Sequence, residues 1–255
     1  MLVIFDCDGV LVDTETVSAE VLRDCLQPLG ININVAEVLS LFRGKSIAVC
    51  AEQVAALLAD SEPYQSWPVA EREAFAEEFW GKVQQETLVA FESGVKPIAG
   101  IRTVLDWLRG EGIAFCVASN GRHEKMQMTL GSTGLLDYFP RANRFSATDV
   151  DQGKPAPDLF LHAARAMGAK PSAAVVVEDS PSGARAARLA GMSLLGYCPY
   201  EPLLARDNTD ALMLAEGARL FRQMDELPKL IAYGGLVEHS AFPPGYLAAY
   251  SPRGH

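Results

Sequence analysis

No run of lysine or arginine occurs in this sequence, and its formal net charge is −10. Nucleic-acid backbones and anionic membrane surfaces are bound through dense basic patches, so neither is an expected partner. No CxxC pair occurs either. The five cysteines (Cys7, Cys25, Cys50, Cys116 and Cys198) are scattered and odd in number. That pattern argues against a disulfide framework and lacks zinc-site spacing; it reads as free thiols in a reducing compartment. No apolar stretch is long enough to cross a bilayer, and the N-terminus carries no basic leader or cleavage site. A cytoplasmic protein is expected, monomeric or weakly homodimeric. What is present is ordinary for a globular chain: 49% apolar residues over 255 positions, enough for one large domain or a domain with an insert.

The chain is organised around its first segment, Leu2-Val3-Ile4-Phe5-Asp6-Cys7-Asp8-Gly9. Four apolar residues in a row predict a buried strand. Along an extended backbone, residues two apart share a side, so Asp6 and Asp8 are expected to project together. Gly9 permits a sharp turn, and Asp13 and Thr14 offer helix N-cap chemistry. Two like charges about 4 Å apart repel by ~4 kcal/mol at an effective dielectric of 20. A fold can keep such a pair to bind a cation or to move a proton; a bare Asp-x-Asp-Gly also fits a solvated strand end.

From Glu15 to Phe91 the apolar spacing is helical throughout: stripes around Val17–Leu29, Val35–Phe42, Ile47–Leu58 and Phe75–Leu88 predict an all-helical block. Beyond it, helices and strands alternate. Ile113–Ala118, Arg144–Ser146, Ala173–Val177 and Ser193–Tyr197 are expected strands, with helices between them. Such repeats imply an α/β fold, a doubly wound parallel sheet, whose ligands bind outside the carboxyl ends of the strands. Asp6/Asp8, Ser119/Asn120 and Glu178/Asp179 all fall at predicted strand ends. Brought together, the four carboxylates require a cation, and oxygen ligands favour Mg²⁺. Ser119 and the Asn120 backbone N–H lie on a turn into a helix, a ready anion site. Lys154, braced by Pro155 and Pro157, is the expected counter-charge for a substrate phosphate.

Four spaced motifs carry a resemblance: Phe5-Asp6-Cys7-Asp8-Gly9, Ala118-Ser119-Asn120-Gly121, Gly153-Lys154-Pro155 and Val177-Glu178-Asp179-Ser180. In this order they resemble the haloacid dehalogenase superfamily of phosphohydrolases, from Leu2 to about Tyr197. The helical block looks like the cap of the subfamily that includes β-phosphoglucomutases. The stretch from Ser119 to Pro140 resembles the bacterial 6-phosphogluconate phosphatases. The resemblance implies a Rossmann-like core over 1–14 and 95–230, a helical cap over 15–94 and a C-terminal extension over 231–255. It implies Asp6 as nucleophile and Asp8 as general acid and base. It implies Ser119, Asn120 and Lys154 as the phosphate site. Mg²⁺ would be held by Asp6, Asp8 (through its backbone carbonyl), Asp179 and Glu178. The cap turn Arg43-Gly44-Lys45 would meet the substrate, a small phosphorylated metabolite such as a sugar phosphate or sugar-acid phosphate. The alternative is a phosphomutase, but Ser18 stands where those mutases carry histidine. Between Tyr200 and Lys229 one more strand or helix is expected. The tail from Gly234 reads as a disordered end or a packing arm.

Overall fold

The computed structural model describes residues 1–42, 47–199 and 208–233. Strand β1 (Leu2–Phe5) is buried along its whole length. Its alternation sets the two layers of the core: Val3 and Phe5 face one apolar cluster, Leu2 and Ile4 the other. Each such side chain contributes roughly 1.5–3 kcal/mol on burial. The first cluster adds an edge-to-face aromatic group, with the Phe5 ring 6.4 Å from both Phe115 and Phe139.

The helical block follows as α1 (Thr14–Leu26), α2 (Val35–Phe42), α3 (Ile47–Ala59) and α4 (Val69–Glu92). Among the described residues, its apolar cluster draws only on those between Ala19 and Val83. Asp13 caps α1, its carboxylate accepting from the Thr16 N–H, and Gly30 stops the first helical stretch with a left-handed φ of 79°. The loop before α4 contains a short 3-10 turn, Tyr64–Ser66.

The remaining elements alternate: α5 (Ile101–Gly110), β2 (Ala114–Ser119), α6 (His123–Ser132), β3 (Arg144–Ser146), α7 (Asp158–Ala166), β4 (Ala174–Glu178), α8 (Pro181–Leu189) and β5 (Ser193–Tyr197). Helix α9 (Thr209–Ala215), β6 (Arg219–Phe221) and α10 (Leu227–Tyr233) complete the described chain. The sheet is parallel and six-stranded, in the order β3-β2-β1-β4-β5-β6. Helices α5, α6 and α10 cover the first cluster; α7, α8 and α9 cover the second. The expected doubly wound sheet is therefore present, with β1 at its centre.

One sequence expectation is corrected. The stretch after Tyr200 supplies α9, β6 and α10, more than the single closing element expected. Ile231 in α10 is fully buried in the first cluster. Short apolar runs at the end of a chain carry little periodic signal, and burial decides them.

Candidate active site

β1 and β4 are neighbours, so their carboxyl ends bring Asp6 and Glu178 side by side, and the Asp6 N–H donates to the Val177 carbonyl. Asp6, Glu178 and Asp179 each place a carboxylate oxygen within 4.8 Å of the others, and all three residues are buried. Lys154 reaches the same point from the loop before α7. Its Nζ donates to Asp6 Oδ1 at 2.6 Å and to Glu178 Oε1 at 2.7 Å. The Lys154 side chain is only 3% exposed, and Nζ lies 4.8 Å from the centre of the Phe160 ring.

Burial pushes the Asp6 carboxyl up to about 7, reinforced by Glu178 and Asp8 and opposed by Lys154. Burial would lower the Lys154 pKa, but Asp6 and Glu178 overcome it and hold it above the ordinary lysine value. Three buried carboxylates around one ammonium leave an excess of negative charge. Burial is the main cause of the raised Asp6 pKa, and the neighbouring carboxylates Glu178 and Asp8 add to it. An all-oxygen donor set short of positive charge fits a hard divalent cation.

Glu178 is spent on structure as much as on charge. Its Oε2 accepts from the N–H groups of Asp179 and Ser180 and from the Ser180 hydroxyl. Ser180 in turn caps α8, accepting from the Gly183 N–H. Gly183 is required by space: a Cβ there would lie 1.7 Å from Glu178 Oε1. Because Glu178 is pinned from several sides, Gly183→Ala should cost about 1–3 kcal/mol in urea denaturation and lower turnover as well. Wild-type stability in that variant would show that Glu178 can move freely. Gly9 meets a similar limit, with φ 78° and the site of a Cβ 2.0 Å from Asp179 Oδ2.

Asp8 departs from the sequence expectation: its carboxylate is not one of the clustered three. The same-side rule holds only along an extended strand, and β1 ends at Phe5. After Asp6 the chain turns back, with Leu11 and Val12 both donating to the Cys7 carbonyl. Asp8 instead takes a hydrogen bond from the Thr14 hydroxyl on Oδ1 (3.0 Å) and one from Lys125 Nζ on Oδ2 (2.9 Å). Thr14 and Lys125 are the two neighbours that sequence reasoning missed. Their positions, six residues past Asp8 and two residues into α6, carry no motif that marks them as its partners.

Ser119 ends β2 and its Oγ accepts from the Gly121 N–H at 3.0 Å. Asn120 has a further role, beyond the backbone N–H singled out in the sequence. Its amide side chain clamps the Lys154 backbone, Oδ1 accepting from the N–H at 2.8 Å and Nδ2 donating to the carbonyl at 3.0 Å. Asn120 thereby fixes the loop that delivers the lysine. Arg43, Gly44 and Lys45 lie outside the described residues. A cavity of about 480 Å³ reaches Asp8, Thr14 and Lys125 and is otherwise lined by the helical block, with Phe42, Trp80 and Gln84 among its walls. Among the described residues, no helix is long and apolar enough to cross a membrane.

Comparison with known proteins agrees with this geometry. The family model of the haloacid dehalogenase-like hydrolases matches residues 1–191. The chain is 32% identical over 200 residues to the 6-phosphogluconate phosphatase of Escherichia coli, covering 77% of this chain and 81% of that protein. It is 29% identical to the fructose-1-phosphate phosphatase YqaB of the same organism, covering 74% and 92%. Among solved structures, a HAD family hydrolase from Deinococcus radiodurans with bound phosphate and sodium superposes with a TM-score of 0.74 at 29% identity, covering 92% of this chain and 96% of that one. With the parallel sheet, the buried Asp6–Lys154–Glu178 centre and a family match spanning three quarters of its length, this chain belongs to the haloacid dehalogenase-like hydrolases.

Proposed function

We propose that this protein is a Mg²⁺-dependent phosphatase of small phosphorylated metabolites, sugar phosphates or sugar-acid phosphates, acting through a phosphorylated Asp6. The observation that carries the reading is the contact of buried Lys154 with Asp6 at the end of β1, inside a group of three carboxylates. The names of the two phosphatase relatives support the substrate class.

In the proposed reaction an Asp6 carboxylate oxygen attacks phosphorus in line. The new O–P bond forms as the ester P–O bond breaks, and the leaving alkoxide takes its proton from Asp8. Asp8 then removes a proton from water, whose oxygen attacks phosphorus and releases Asp6 and inorganic phosphate. Ser119 and Lys154 hold the phosphoryl oxygens, and Asn120 keeps Lys154 in place. Asp6, Asp179, Glu178 and the Asp8 backbone carbonyl are the groups that would hold Mg²⁺. When bound, the ion would neutralise charge on the phosphoryl group. The cap over 15–94 would supply the contacts that distinguish one metabolite from another, with Arg43, Gly44 and Lys45 as candidates. A phosphomutase is less well supported, since the Ser18 hydroxyl donates to the Thr14 carbonyl and serine is no substitute for a histidine base.

A screen of phosphorylated sugars and sugar acids tests the proposal. Phosphate release is expected with Mg²⁺, loss of release in excess chelator, and recovery when Mg²⁺ is returned. Undiminished release in chelator would refute the metal assignment, and transfer of phosphate within the substrate instead of release would favour the mutase.

A further inference from the structure

The geometry points to Lys125 as a positioning residue for Asp8: it holds the carboxylate in the orientation that serves the leaving group. This rests on the proposed general-acid role of Asp8. Asp8 stands outside the buried carboxylate group, and its side chain is 29% exposed. A carboxyl group on a turn, free to rotate about two bonds, would spend much of its time misdirected. Here each oxygen has its own donor. The short Thr14 side chain, at the start of α1, takes Oδ1. Lys125, from α6, takes Oδ2.

Two features mark the place of the lysine. Its Nζ lies 5.3 Å from the centre of the Phe91 ring near the end of α4, so an aromatic face contributed by the helical block backs the ammonium. Among the described residues lining the 480 Å³ cavity, Lys125 is the one cation, and it is already committed to Asp8. The contacts therefore differ from those of Lys154, which meets the group proposed as nucleophile. Lys125 meets only the group proposed to handle the leaving oxygen, and it does so beside the helical block.

The experiment uses aryl phosphates that share a phosphoryl group and differ in their leaving phenol: p-nitrophenyl, phenyl and p-methoxyphenyl phosphate, with Mg²⁺ present. Lys125→Met should lower kcat/KM for the phenyl and p-methoxyphenyl esters about tenfold more than for the p-nitrophenyl ester, because only the poorer leaving groups need the proton. Lys125→Arg, which keeps a donor, should recover part of the loss. Asp8→Asn should show the same discrimination more strongly. Adding Lys125→Met to Asp8→Asn should then cost little more. Equal losses on all three esters, or full additivity in the double variant, would overturn the positioning role. A rise in KM with kcat unchanged would do the same and would make Lys125 a substrate-binding group. If Asp8→Asn itself shows no discrimination between esters, the general-acid reading fails and this inference fails with it. A thermal midpoint for Lys125→Met near that of the wild type separates these outcomes from misfolding.

Discussion

Asp6→Asn is expected to abolish phosphatase turnover, a loss of roughly 10⁴-fold or more, because an amide oxygen cannot form and release the phosphoryl ester. The substitution is nearly isosteric, so the fold should survive it. In the metal-free protein the variant should be at least as stable as the wild type above neutral pH. The sign follows from the raised carboxyl: Asp6 titrates near 3.8 when unfolded and about 7 when buried. Between those values the native state binds the extra proton, so native stability falls as pH rises through that window. Asparagine has no such proton, and its denaturation midpoint should lack that slope. Initial rates and urea denaturation across pH measure both effects. Near wild-type turnover in Asp6→Asn would remove the covalent mechanism.

Lys154→Met is expected to remove activity and destabilise the protein together. Asp6 and Glu178 would be left buried and facing each other without their shared cation. Breaking a buried pair by removing one partner costs about 3–5 kcal/mol. The double variant Lys154→Met/Glu178→Gln should recover much of that stability, since it removes one of the two uncompensated charges, while turnover stays lost. Denaturant midpoints read the first effect and initial rates the second. Recovery of turnover in the double variant would mean that Lys154 serves only to balance Glu178 and never touches the phosphoryl group. A stable but inactive single variant would instead mean that solvent or a cation already screens the two carboxylates.

The order of elements was legible in the sequence because it rests on local periodicity. The four-residue run Leu2–Phe5 is β1, and the stripes from Val17 to Leu88 fall on α1 to α4. The carboxyl-end rule for parallel sheets was also enough to bring Asp6 and Glu178 to one edge, with Ser119 at the end of the next strand. Boundaries were legible where a glycine or a proline marks them, as at Gly30 and Pro181, and less so where burial alone decides, as at Ile231.

The tertiary structure decided where the side chains of the turns point. Residue spacing predicts orientation only while the backbone stays extended; Asp6 and Asp8 both follow the end of β1, and the turn there puts Asp6 in the buried carboxylate group and Asp8 against Thr14 and Lys125. It also decided the partners that come from distant parts of the chain. Lys154 meets Asp6 across 148 positions and Lys125 meets Asp8 across 117. The Asn120 amide closes on the Lys154 backbone across 34. Such contacts leave no periodic trace, because nothing in the local sequence depends on them. The sequence by itself determined which chemical groups gather at the strand ends; the packing of α1, α6 and the loop before α7 against those ends decided which group holds which.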